Sequence, residues 1–202
     1  MRHQDWIEWE VCARPMPGET VSGDVHVALP CHGGVLLGVI DGLGHGEGAA
    51  EAANRARAIL LDSPEKRLDD LMLRCHRELH RTRGAAMTIA FIHRHGRLAW
   101  LGVGNVEAVL VRGSAAAGRR RESLLLQPGV VGQQIPALRL SEADVAAGDQ
   151  LVIASDGVRT AFLEVLSRPD SAASIAVRVL AEYGKQTDDA LVVAATYLRS
   201  AP

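Results

Sequence analysis

Apolar and polar positions change period several times along the chain. "DVHVALP" (24–30) alternates apolar and polar residues as a half-buried strand does, and "VLLGVI" (35–40) is the unbroken apolar run of a strand buried on both faces. "CHGG" (31–34) predicts a hairpin between them. From Gly46 the period lengthens. Ala49, Ala53, Ala56 and Leu60 recur at three- and four-residue steps, which predicts a helix with a thin alanine face that can approach a sheet closely. Ser63 and Pro64 read as the N-cap and first residue of a second helix, because the hydroxyl can accept an unpaired backbone N–H and proline has none to leave unsatisfied. Leu68, Leu71, Met72, Cys75 and Leu79 form its apolar face, and its end is expected near 82–84.

A block of strand signals follows: 86–93, 97–104, 106–112, 123–127 and 150–155, separated by Gly, Pro and charged turns. A last helix is expected from Ser171 to Tyr183, ending at Gly184, and "ALVVAATY" (190–197) closes the pattern as a strand. Strands outnumber helices, and the helices come in two groups. That predicts an α+β fold, with sheets covered by helices.

Composition narrows this picture. The 202 residues fit one domain, expected over 1–202. Hydrophobic residues make up 48% but aromatics only 3%, so the core must be built from Ala, Val, Leu and Ile. A net charge of −2 gives no whole-chain attraction to nucleic acid or an anionic membrane, and neither is expected as a partner. The one basic run, Arg119 to Arg121, reads as a solvated hairpin tip. Three cysteines without a CxxC pair suggest neither a disulfide framework nor a zinc or redox site. The charged start "MRHQDWIEWE" is unlike a signal peptide, and no segment has the length of a membrane span, so a cytoplasmic protein is expected.

The candidate chemistry lies at the ends of the strands. Asp41, in "VIDGLGHGEGAA", ends the buried run 35–40 and precedes a turn with four alternating glycines. Asp24 stands at a strand start, Asp156 at a strand end, and Asp188 and Asp189 just before the last strand. Any one of them alone is an ordinary turn residue. Together they would form a carboxylate cluster, costly unless a cation neutralises it. Oxygen-only ligation suits Mg2+ or Mn2+, and two such ions about 4 Å apart can activate water and neutralise a phosphoryl group under in-line attack. Asp41 would bridge the ions, the Gly42 carbonyl would be a further ligand, and the glycines would leave room for metals and phosphate.

In order, the segments "SGD" (22–24), "VIDGLGHG" (39–46), "RGAAMT" (83–88), "GVGNVEAVLV" (102–111), "GDQLVIASDG" (148–157) and "TDDALVVAA" (187–195) resemble the PPM family of metal-dependent serine/threonine protein phosphatases. The similarity is greatest to the small bacterial SpoIIE-like branch and, within it, to stressosome feedback phosphatases. The resemblance implies a four-layer α-β-β-α sandwich of two mostly antiparallel sheets flanked by helix pairs. It implies Asp41 and Gly42 shared between two Mn2+ or Mg2+ ions, Asp156 and Asp188 completing one, and Asp24 beside the other. Asp189 stands where many members have Asn. The implied substrates are phosphorylated STAS-domain proteins of a stressosome-like complex, and the implied enzyme is a monomer. Larger members grip the phosphate with an N-terminal arginine; Arg14 lies ten residues before Asp24, without a motif around it to carry that role.

His45 is a candidate proton donor to the leaving seryl oxygen, or else an exposed loop histidine with water supplying the proton. Asn105 reads as a turn residue. Two other functions compete. Gly44, Gly46 and Ala49 satisfy a loose dinucleotide-binding fingerprint, but that unit needs a helix returning to a parallel strand. A phosphatase-like fold without metals, acting only as a binding module, is the non-enzymatic reading. Retention of every aspartate speaks against it.

Overall fold

The computed structural model describes residues 2–113, 121–167 and 170–198. Among the described residues, eleven strands form two sheets. One orders β1 (Arg2–Gln4), β2 (Ile7–Arg14), β11 (Ala190–Tyr197), β10 (Gln150–Ala154), β7 (Glu107–Val111) and β8 (Arg121–Ser123). The other orders β3 (Asp24–Cys31), β4 (Gly34–Gly42), β5 (Ala85–His93), β6 (Arg97–Val103) and β9 (Ser141–Asp144). All these strand pairs are antiparallel, so the parallel unit of a dinucleotide site is absent among the described residues.

Side-chain alternation explains the layers. In β4, Val35, Leu37 and Val39 enter the core between the sheets, while Leu36 and Ile40 enter a second core under α1 (Glu47–Asp62) and α2 (Leu68–Glu78). In β11, Leu191, Val193 and Ala195 face the central core. Val192 and Ala194 face a third, covered by α3 (Ala172–Tyr183) and a 3-10 helix (Thr160–Ser167). The result is the expected α-β-β-α sandwich, in which one outer pair combines α3 with the 3-10 segment. Alanines 52, 53 and 56 line the buried face of α1 and let it sit close to its sheet.

Several elements differ from the sequence reading. The first 14 residues carry β1 and β2, and Trp6, Ile7 and Trp9 are buried. Their alternation is masked by charges that have partners: Glu8 is buried and its Oε1 accepts the N–H of Ala172 at 3.1 Å, at the start of α3. Ser63 ends α1 instead of capping α2, which starts at Leu68 after Arg67. The Ser63 hydroxyl and the Asp62 carboxylate both take Arg74 Nη1, at 3.2 and 2.8 Å, so the serine fastens α2 from the side. The strand expected over 123–127 stops at Ser123, and Leu125 is exposed. The mostly polar β9 has no apolar pattern to announce it. Arg119 and Arg120 lie outside the described residues; Arg121 starts β8 and donates to the Leu163 carbonyl. No helix among the described residues is long and apolar enough to cross a membrane.

Candidate metal centre

One edge of the sandwich gathers the acids. Asp24 opens β3, Asp41 lies at the end of β4, and the antiparallel register sets them directly opposite each other. Asp41 follows Val35, Leu37 and Val39 on the same face of β4, so its carboxylate is carried at the open end of the layer between the sheets. The facing sheet supplies the rest: Asp156 follows β10, and Asp188 and Asp189 precede β11, its hydrogen-bonded neighbour.

The charges feel one another. Burial pushes the Asp41 carboxyl up to about 8, and the neighbouring charges of Asp24, Asp156, Asp188 and Asp189 push the same way. Burial likewise pushes Asp24 up to about 7; a hydrogen bond from Ser155 opposes this, and Asp189, Asp156 and Asp188 add to it. Asp188 is raised by burial and by Asp156. Asp24 is 6% exposed, and its Oδ2 is buried without a hydrogen-bond partner. A buried carboxylate oxygen with no donor, facing further carboxylates, is the environment a hard divalent cation relieves, and the donors present are all oxygens. Among the described residues no group of three or more Asp, Glu, His or Cys side chains is arranged, as the side chains stand, to hold a metal ion.

The acids are held from behind by the backbone. Asp189 Oδ1 accepts the Met16 N–H at 2.8 Å and Oδ2 the Gly23 N–H at 2.7 Å, tying the segment before β3 to the start of β11. Ser155 Oγ accepts the Leu191 N–H at 3.0 Å and bonds Asp24, joining three strand ends. Asn105 Nδ2 donates to Asp156 Oδ2 at 2.7 Å. By its local sequence Asn105 is a turn residue. What places it here is the pairing of Glu107 with Ala154, which brings the residues two beyond each, 105 and 156, to one edge.

The glycine turn is filled differently from the expectation that it leaves room for ligands. A Cβ at Gly42 would stand 2.0 Å from the Ala49 carbonyl oxygen, so α1 packs on bare backbone there. Gly44 and Gly46 take positive φ of 87° and 73°. A Cβ at Gly48 would stand 2.7 Å from Nε of Arg83, so an arginine occupies that space. His45, on the same turn, is exposed, with Nδ1 3.2 Å from Glu19 Oε1. Arg14 donates to the Lys185 carbonyl, and its Nε is buried.

Residues 32–198 match the family model described as Stage II sporulation protein E (SpoIIE). Among solved structures, a chain from "The bacterial stressosome: a modular system that has been adapted to control secondary messenger signaling" is 30% identical, with a TM-score of 0.84 over 94% of this chain and 98% of that one. RsbX in complex with magnesium superposes at a TM-score of 0.87 and 19% identity, covering 97% and 98% of the two chains. The catalytic domain of the serine/threonine protein phosphatase PstP with two manganese ions gives 0.75 at 18% identity, covering 96% and 99%. No curated protein matches the chain.

Proposed function

Because the chain belongs to the SpoIIE family and has the PPM/PP2C phosphatase fold, we propose that it is a metal-dependent protein serine/threonine phosphatase. The observation that carries this reading is the buried, unpartnered Oδ2 of Asp24, set opposite Asp41 and among the charges of Asp156, Asp188 and Asp189. Paired Mn2+ or Mg2+ ions, when bound, would supply water activation and neutralisation of the phosphoryl oxygens in an in-line displacement. Asp41 and the Gly42 carbonyl would be shared between them, Asp156 and Asp188 would complete one, and Asp24 would lie beside the other.

The remaining residues hold this set in place. The Ser155 hydroxyl donates a hydrogen bond to Asp24, whose Oδ2 has no partner and would be left for a cation. Asn105 occupies one lone pair of Asp156 Oδ2 and so fixes the plane of that carboxylate. Asp189 adds charge to the proposed metal set, and its bonds to Met16 and Gly23 keep β3 against β11. His45, with Nδ1 facing Glu19, offers Nε2 as the candidate donor of a proton to the leaving seryl or threonyl oxygen.

For the substrate, we propose phosphoserine or phosphothreonine on STAS-domain proteins of a stressosome-like complex, acted on by a single-domain, cytoplasmic, monomeric enzyme. The support is the 30% identity to the chain from the stressosome structure and the fold shared with RsbX. The test is hydrolysis of p-nitrophenyl phosphate with Mn2+, and of phosphorylated STAS proteins from the same genome followed by mass spectrometry. Mn2+-dependent release of phosphate that is lost in Asp156→Asn is expected. Binding of the phosphoproteins without hydrolysis would favour the binding-module reading, and activity that survives exhaustive chelation would exclude the two-metal reading.

A further inference from the structure

The glycine turn seats an arginine. Arg83 precedes β5, and its neighbour Gly84 accepts the Leu43 N–H at 3.0 Å, two residues past Asp41. Three residues past Arg83, Ala86 pairs with Asp41 in the β4–β5 register. The guanidinium lies against the glycines: a Cβ at Gly44 would stand 3.1 Å from Nη1, and one at Gly48 would stand 2.7 Å from Nε and 2.9 Å from Cζ. Nη1 donates to the His45 carbonyl at 3.3 Å. The residue is exposed, and among the described residues it forms no ion pair.

On its other side Gln133 Nε2 donates to the Arg83 carbonyl at 2.6 Å, and Pro128, Val130, Gln133 and Pro136 line a cavity of about 430 Å³. Arg83 thus lies between the glycine turn that follows Asp41 and a groove. Arg14, to which no sequence motif assigns the phosphate-gripping role, donates to the Lys185 carbonyl.

We propose that Arg83 binds the phosphoryl oxygens of the incoming substrate, with Gly44 and Gly48 as the bare backbone that seats its guanidinium; the proposal rests on the phosphatase reading above. A planar fork of N–H donors matches two phosphoryl oxygens, and a phosphate monoester approaching five carboxylates needs one favourable contact at the mouth. No covalent step is assigned to Arg83; it positions the anion.

The test compares Arg83→Ala, Arg83→Lys and Gly48→Ala with the unaltered protein, all loaded with Mn2+. Arg83→Ala should raise KM for p-nitrophenyl phosphate, and the inhibition constant of inorganic phosphate, about 10-fold or more, the scale of a hydrogen bond to a charged group. Mn2+ affinity by calorimetry should be unchanged, and Arg83→Lys should fall between. Gly48→Ala should push the guanidinium off its seat and act in the same direction, while thermal stability holds, because alanine suits a helix better than glycine. Unchanged KM and phosphate inhibition in Arg83→Ala would overturn the proposal, as would an equal loss of Mn2+ binding.

If the unaltered protein hydrolyses nothing with Mn2+, the phosphatase reading fails instead. Calorimetric titration of inorganic phosphate into the Mn2+-loaded protein then decides the role of Arg83. Binding that Arg83→Ala weakens supports it, and binding that is absent or indifferent to the substitution ends it.

Discussion

Each end of β10 leads to a buried aspartate, Asp149 before the strand and Asp24 in the acid group beyond it, and the two are treated in opposite ways. Before the strand, Asp149 is 4% exposed, yet every direction is answered: Arg112 Nη1 at 2.8 Å, the Gly113 N–H at 2.7 Å and the Ala146 N–H at 3.1 Å all donate to it. Beyond the other end, Asp156 enters a group in which Asp24 is 6% exposed with an oxygen left over, and no lysine or arginine is paired with Asp24, Asp41 or Asp156 among the described residues. Burial alone does not distinguish the two. What separates them is whether the protein itself supplies the compensating charge.

The contrast is broken most severely at the uncompensated end. Asp41→Asn or Asp156→Asn should lower Mn2+-dependent p-nitrophenyl phosphate hydrolysis by about 10³-fold, since several kcal/mol of charge stabilisation depends on the ligand set. The metal-free protein should melt no earlier than the unaltered one, because an amide of the same shape cannot ionise among the remaining carboxylates. At the compensated end the balance inverts: Asp149→Ala should cost about 3 kcal/mol of stability by denaturant titration, leaving Arg112 half-buried without this partner, while activity per folded molecule is kept. If Asp149→Ala lost activity without losing stability, the contrast between the ends would not hold.

Smaller changes sharpen it. Asn105→Ala should weaken Mn2+ binding by about 10-fold to 100-fold in calorimetry, the usual cost of releasing a ligand from its orienting partner, with little change in melting temperature. A pH dependence tests the same contrast through its sign. Without metal, Asp24 and Asp41 hold their protons up to about 7 and about 8, whereas in the unfolded chain they titrate near the ordinary carboxylate value of about 4. Between those values the folded state binds more protons than the unfolded one, so stability falls as pH rises through that window. In chelator the melting temperature should therefore drop from about pH 5 to about pH 8, and excess Mn2+ should cancel or reverse the drop. A rise in chelator over the same range would show that the acids are already compensated.

How far the residues alone disclosed this depended on whether a signal was local. The central strands were legible because β4, β5 and β11 are buried on both faces, so their apolar runs are unbroken. The helix α3 was legible from its apolar spacing and from Ser171, whose hydroxyl accepts the Ser174 N–H at 3.2 Å. β2 was not, because Glu8 and Glu10 lie among its apolar residues and the partner that makes Glu8 tolerable is 164 residues away. The same distance rule divides the candidate site. Aspartates at strand ends could be picked out one by one, whereas the Asn105 contact to Asp156 spans 51 positions. The role of Gly48 depends on Arg83, which belongs to a different element.

Sequence by itself determined which segments are strands and helices wherever the period was clean, and which acids sit at their ends, because both follow from neighbours within a few residues. Tertiary structure alone decided that Asp24 faces Asp41, that Asp149 has its arginine while Asp24 keeps an oxygen without a donor, and that a glycine turn seats a guanidinium. The reason is physical: a charge is made costly or harmless by what lies within a few ångströms of it, and in a sandwich of crossing strands those neighbours come from distant parts of the chain.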